Sequence, residues 1–191
     1  MKIVFFDLET TGTLPNRHGI HQISGEIVID GETKEKFNFN VCPNPRAEIL
    51  DEALKIAGVT KEQILAYPEM SVVFKQFTDM LGRYVNKYDK KDKYYRAGFN
   101  NSAFDNPFLR GWFLQNGDNY FGSWFWSNSF DLMILATPHL AHKQPDMENF
   151  KLATVARHLG IEVIEEKLHD ASYDIALTKA IYDVIFRGSA T

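Results

Sequence analysis

The chain opens on strand-like patterning. Ile3-Val4-Phe5-Phe6 is a short apolar run of the kind a buried strand shows. Thr10-Thr11-Gly12 reads as the turn that leaves it, and residues 13–19 form a polar loop. Residues 20–30 alternate well enough to predict a second strand, Asp30-Gly31 is a hairpin signal, and residues 33–41 predict the returning strand. Its Phe37, Phe39 and Val41 share one face. Three antiparallel strands are therefore expected first. Pro43-Asn44-Pro45 ends them. The spacing of Ile49, Leu50, Ala53, Leu54 and Ala57 predicts a helix over 47–57, stopped by Gly58. Thr60-Lys61-Glu62-Gln63 fits a capping box for a short helix ending near Tyr67-Pro68.

The second half interleaves helices with strands. An amphipathic helix is predicted over 71–86, carrying Val73, Phe74, Phe77, Met80 and Leu81. The charged stretch 87–93 reads as a solvated loop, and 94–99 as a fourth strand. After the turn Asn100-Asn101-Ser102, Pro107 suits the first turn of a helix capped by Asn106 or Asp105. Residues 111–130 are dense in aromatics, which serve either as a base-stacking platform or as core and lid packing. A helix broken at Pro138 is expected over 131–142, another over 150–159, and a last one reaching about residue 186. No internal repeat or domain boundary is visible. The order of elements predicts a single mixed α/β domain over 1–191.

Composition narrows this little further. At 191 residues and 45% hydrophobic content the chain can bury a sizeable core. A net charge of -4 excludes a broadly basic nucleic-acid coat but leaves a local basic groove open. The lone cysteine, Cys42, cannot form an internal disulfide, which favours a reducing, cytoplasmic setting. No apolar run is long enough to span a bilayer, and no membrane partner is expected.

The candidate chemistry is carboxylate chemistry. On a strand, Asp7 and Glu9 point the same way. Two carboxylates that close repel unless a cation intervenes, and a hard divalent ion is the simplest one. Acidic residues beside a glycine are also common in plain strand-end turns, so this pair alone does not decide. Asp105 falls where a strand gives way to a helix. His169 and Asp174, five apart, would sit about 140° apart on one helix. The conflict resolves if Asp170 or Ser172 caps the last helix, leaving His169 on the preceding loop and Asp174 on the first turns. A fixed carboxylate beside a mobile imidazole suits a metal ligand beside a general base. Asp170 with Asp174 is an alternative pair at helical spacing.

The ordered set Asp7-Leu8-Glu9-Thr10-Thr11-Gly12, then Asp105 after Asn101-Ser102-Ala103-Phe104, then His169 with Asp174, resembles the DnaQ-like 3′–5′ exonucleases. More narrowly, it is similar to their DEDDh subgroup, over most of the chain. The context His169-Asp170-Ala171 looks more like exonuclease I and ribonuclease T than like a polymerase proofreading subunit. The resemblance implies a ribonuclease H-like α/β fold: a mixed five-stranded sheet with helices packed around it. It implies Asp7, Glu9, Asp105 and Asp174 as ligands of two Mg²⁺ or Mn²⁺ ions, and His169 as general base. It implies a nucleic acid with a free 3′ end as substrate. Backbone groups along Leu8, Thr10 and Gly12 would hold the terminal nucleotide, with Leu14 and Phe104 against its base. One departure is that Thr13 follows Gly12 where the family often has a bulky apolar residue, so that role is expected of Leu14. A homodimer, or association with replication, repair or RNA-processing machinery, stays open, as does DNA against RNA. The rival readings are a catalytically silent nucleic-acid-binding module and a D-x-D phosphatase. Glu9 in the second acidic position speaks against the phosphatase.

Overall fold

The computed structural model describes residues 1–168 and 170–188. Its frame is a five-stranded sheet in the order β3-β2-β1-β4-β5. The strands are β1 (Lys2–Thr10), β2 (Ile20–Ile29), β3 (Glu32–Asn40), β4 (Tyr94–Gly98) and β5 (Phe125–Asp131). The first three pair antiparallel, and β4 runs parallel to both β1 and β5. The mixed sheet with its antiparallel opening is thus as expected.

Eight α-helices pack around it among the described residues: α1 (Asp51–Ala57), α2 (Lys61–Leu65), α3 (Met70–Leu81), α4 (Asp105–Gln115), α5 (Phe121–Trp124), α6 (Leu132–Leu140), α7 (Leu152–His158) and α8 (Ala171–Arg187). None of them is long and apolar enough to cross a membrane.

The period-two side-chain alternation of β1 divides the core. Val4, Phe6 and Leu8 point to one face and pack with α3, α4 and α5, through Phe77, Phe108, Trp112 and Trp124 among others. Ile3 and Phe5 point to the other and pack with α6, α7 and α8. Phe5 meets Tyr182 of α8 edge-on, with ring centroids 5.4 Å apart. Continuing along that second face, the next two side chains are Asp7 and Glu9. The strand therefore delivers its carboxylates against the N-terminal part of α8.

Several boundaries shift for local reasons. Helix α1 starts at Asp51, not at residue 47. The preceding backbone is held extended instead, with Leu50 N–H donating to the Thr11 carbonyl and Glu48 N–H to Arg17. Helix α3 ends at Leu81, with Gly82 as its C-cap. Pro138 does not break α6, which runs only two residues beyond it. The fifth strand starts within the aromatic-rich segment 111–130 and ends one residue past it, where no strand is evident from the sequence. Most rings of that segment are core: Trp112, Phe113, Phe121, Trp124 and Phe125 are buried, whereas Tyr120 is exposed.

Candidate active site

The site assembles at the carboxyl ends of the parallel strands, where open α/β sheets present their ligand sites. Asp7 and Glu9 end β1. Asp105 opens α4, just after β4, and Asp131 closes β5. Asp105 is 3% exposed, and its Oδ1 accepts the Leu8 N–H at 3.2 Å. That bond ties the first acidic stretch to the second. Helix α8 is capped by Asp170, whose carboxylate accepts the Tyr173 N–H at 3.0 Å. Asp174 then lies in the first turn. It shares a helical stripe with Thr178, Ile181 and Tyr182, the last two packed in the core with Phe5. The same face of α8 that seats on β1 thus carries Asp174 toward Asp7. With its side chain engaged in the cap, Asp170 is the weaker of the two candidate ligands on this segment.

Electrostatics show which carboxylates stand together. The Asp7 carboxyl is held well above the usual range, first by burial and then by the charges of Asp105, Glu9 and Asp174. Asp105 is pushed up to about 7, chiefly by burial, with Asp131 and Glu9 adding to it. The Leu8 N–H and its own backbone N–H oppose that rise. No described Lys or Arg forms an ion pair with Asp7 or Asp105. Four neighbouring carboxylates with this much mutual repulsion form an all-oxygen donor set, which suits a hard divalent cation. They do not form a closed cage: among the described residues no three His, Cys, Asp or Glu side chains stand together at chelating spacing. His169 lies outside the described residues.

The loop between β1 and β2 is stiffened by polar contacts. Thr11 N–H donates to the Gly19 carbonyl, and the Thr11 hydroxyl donates to the Glu48 carbonyl at 2.6 Å and accepts the Gly19 N–H at 2.9 Å. Arg17 grips the Glu48 carboxylate through two nitrogens, at 2.9 and 2.6 Å. His18, buried, accepts the Leu14 N–H on Nδ1 at 2.8 Å. Its ring lies so close to Gly12 that a Cβ there would sit 2.6 Å from it, so only glycine fits.

The candidate nucleotide contacts are placed unequally around this loop. Leu14 is 45% exposed, an apolar side chain displayed on a fixed loop. Leu8 is core, and its N–H is already bound to Asp105. The Thr10 hydroxyl donates to the Gly12 carbonyl at 2.7 Å. Phe104 packs partly buried against Phe108, with ring centroids 5.1 Å apart.

Asp131 went unrecognised in the sequence. Its carboxylate accepts the N–H groups of Asn100 at 3.0 Å and Ser102 at 2.9 Å, and caps α6 through Met133 at 3.1 Å. It thereby holds the loop that presents Asp105. An acidic residue directly before the apolar run Leu132-Met133-Ile134-Leu135 was the available signal, a cap at a helix start.

Comparison with known proteins agrees with this arrangement. The chain matches the exonuclease family RNase_T over residues 4–182. It is 26% identical over 191 residues to a PolC-type DNA polymerase III of Bacillus cereus, covering 97% of this chain and 12% of the polymerase. The PolC-type enzyme of Clostridium perfringens is 26% identical over 185 residues, covering 96% and 11%. The chain therefore spans about an eighth or less of these curated relatives. Among solved structures, Exonuclease I of E. coli in complex with a dT13 oligonucleotide superposes with a TM-score of 0.74 at 21% identity, over 96% of this chain and 40% of that one. A zinc-bound form of the same enzyme with single-stranded DNA gives 0.76 at 21% identity, over 98% and 41%. The fold is shared at that distance. With the family match over nearly the whole chain, this protein belongs to the RNase_T exonucleases, within the DnaQ-like 3′–5′ exonucleases.

Proposed function

We propose that this chain is a divalent-metal-dependent 3′–5′ exonuclease. It would hydrolyse the phosphodiester at the 3′ end of DNA or RNA and release nucleoside 5′-monophosphates. The observation that carries the reading is the loading of one half-buried carboxyl, Asp7, by Asp105, Glu9 and Asp174. Such a cluster is costly by itself and useful only where cations and phosphate share it.

Asp7, Glu9, Asp105 and Asp174 would hold two Mg²⁺ or Mn²⁺ ions. Bound there, the ions would acidify the attacking water and offset charge on the leaving 3′ oxygen. The chain does the rest. Asp105, fixed by the Leu8 N–H, keeps its orientation through the reaction. His169 takes the proton of the attacking water. Leu14 packs on the terminal base from a loop that His18 and Thr11 hold rigid, which orients the scissile bond. The PolC-type relatives support association with replication machinery, and the Exonuclease I complexes with single-stranded DNA support a single strand as substrate.

The test is digestion of matched 5′-labelled DNA and RNA oligonucleotides with and without Mn²⁺. Stepwise shortening from the 3′ end is expected, lost with chelator and reduced at least ~10³-fold by Asp7→Ala or Asp174→Ala. Shortening that persists in chelator would overturn the reading. Binding without any shortening would favour the silent module.

A further inference from the structure

A second cleft, about 820 Å³, lies beside the site where the edge of β4 and β5 meets α4 and α5. Three cations line it, Lys93, Arg96 and Arg110, and no Asp or Glu does. None of the three forms an ion pair with any described residue. In a chain of net charge -4 this is an uneven distribution.

Arg96 is the informative side chain. It is 6% exposed. Its Nη2 donates to the carbonyls of Trp126 at 3.0 Å and Ser127 at 3.1 Å, while its Nε has no partner among the described residues. A guanidinium carries five donors in a fixed fork, and burying one without an anion is costly. Burial, and secondarily the charge of Arg110, pulls the Arg96 pKa down to about 10. The Phe121 ring lies 5.2 Å from the Arg96 guanidinium and 5.9 Å from that of Arg110. Lys93 sits 5.4 Å over the Trp126 ring. These ring contacts offset part of the desolvation but neutralise no charge.

Lys93 Nζ donates to the Gly122 carbonyl at 2.5 Å, which leaves its charge in place, and an anion would neutralise all three. Forked and point cations together suit phosphate, and the aromatic walls suit one attached to a base. The position matters as well. Ser102 and Asn106 border the cleft and flank Asp105 in the chain. The Asn106 side-chain amide donates to the Ser129 hydroxyl at 3.1 Å, so cleft and candidate active site share the wall that presents Asp105.

We infer that this cleft binds a nucleotide phosphate through Lys93, Arg96 and Arg110. The phosphate is either an internal one of the strand whose 3′ end reaches Asp7, or that of a released 5′-monophosphate. The identity of the carrier rests on the exonuclease reading, whereas the anion site itself does not.

Arg110 is exposed and makes no ion pair with a described residue, so Arg110→Gln tests the site without disturbing the core. Binding is measured in an Asp7→Asn background in Mg²⁺, by calorimetry. The two probes are a ten-nucleotide oligothymidylate and thymidine 5′-monophosphate. Adding Arg110→Gln is expected to weaken the bound probe about tenfold and to lower the salt slope by about one phosphate. Lys93→Gln should act in the same direction, and Lys61→Gln, on α2, should not. An effect on the oligonucleotide alone identifies an internal phosphate; an effect on the mononucleotide identifies the free product. Equal binding of both probes with and without Arg110→Gln overturns the site. That result leaves the exonuclease reading untouched, since that reading is judged on 3′ shortening by the unaltered protein. Conversely, an Arg110-dependent anion site in a protein that shortens nothing would sink the exonuclease reading alone.

Discussion

His21 concentrates in one ring the conflict between packing and polarity. It is 1% exposed, and both ring nitrogens lack partners among the described residues. It sits where β2 slips past the Glu9/Thr10 irregularity in the β1 pairing. Burial lowers its pKa from 6.5 to about 4. The native state therefore refuses a proton that the unfolded chain accepts, and stability is full above pH 6.5 and lost as pH falls toward 4. At about 1.4 kcal/mol per unit the loss approaches roughly 3 kcal/mol at the acid end of that window. Urea unfolding of the protein and of His21→Leu at pH 7 and 5.5 checks this. The variant should gain roughly 1 kcal/mol relative to its parent on acidification. A constant difference would mean that the imidazole is not the group titrating. Comparison with the parent matters, because the raised carboxyls of the site respond to pH in the opposite sense.

At the scale of elements, the parts that were legible are those where one local rule acts alone. Period two on β1 put Asp7 and Glu9 on one face, and the same period placed Ile3 and Phe5 against α8. The Asp170 cap put Asp174 in the first turn of the last helix, whereas His169 lies outside the described residues. The parts that were not legible depend on partners far along the chain. Strand β5 reads Phe-Trp-Ser-Asn-Ser-Phe-Asp, with no sustained apolar run, and it is a strand because β4 pairs with it. Arg96 looks like an ordinary charge within a short strand; only the packing of α4 and α5 over it makes a buried cation. Asp131 belongs with these, since its acceptors serve two elements at once. Asp131→Ala would remove a helix cap and leave the part-buried N–H groups of Asn100 and Ser102 without their acceptor. A loss of about 2–4 kcal/mol is expected, read as a lower Tm, with a fall in kcat/KM because Asp105 is no longer held. Asp131→Asn retains one acceptor oxygen and should lose less of both. An activity loss with unchanged Tm would assign Asp131 a direct part in the reaction instead.

Across the whole molecule, charge is arranged in two opposed groups. Carboxylates gather at the end of β1, the start of α4 and the end of β5, and cations with no ion pair among the described residues gather one wall away. The acidic group makes stability depend on protons and on metal together. Asp105 has a native pKa near 7, against 3.8 when unperturbed, so between those values the native state holds more protons than the unfolded one. Metal-free stability must then fall as pH rises through that window. A divalent cation replaces the protons, and its stabilising effect grows as they leave. Saturating Mn²⁺ should accordingly raise Tm by about 5 °C or more at pH 8, and by much less at pH 5.5. Asp105→Asn removes one of the repelling charges. It should be more stable than its parent in chelator at pH 8, and it should respond less to Mn²⁺. Calorimetric scans of both proteins in chelator and in Mn²⁺, at the two pH values, separate these effects. If the Mn²⁺ increment were the same at both pH values and survived Asp105→Asn, the ion would be binding elsewhere on the surface, and the carboxylates would have to be explained without it.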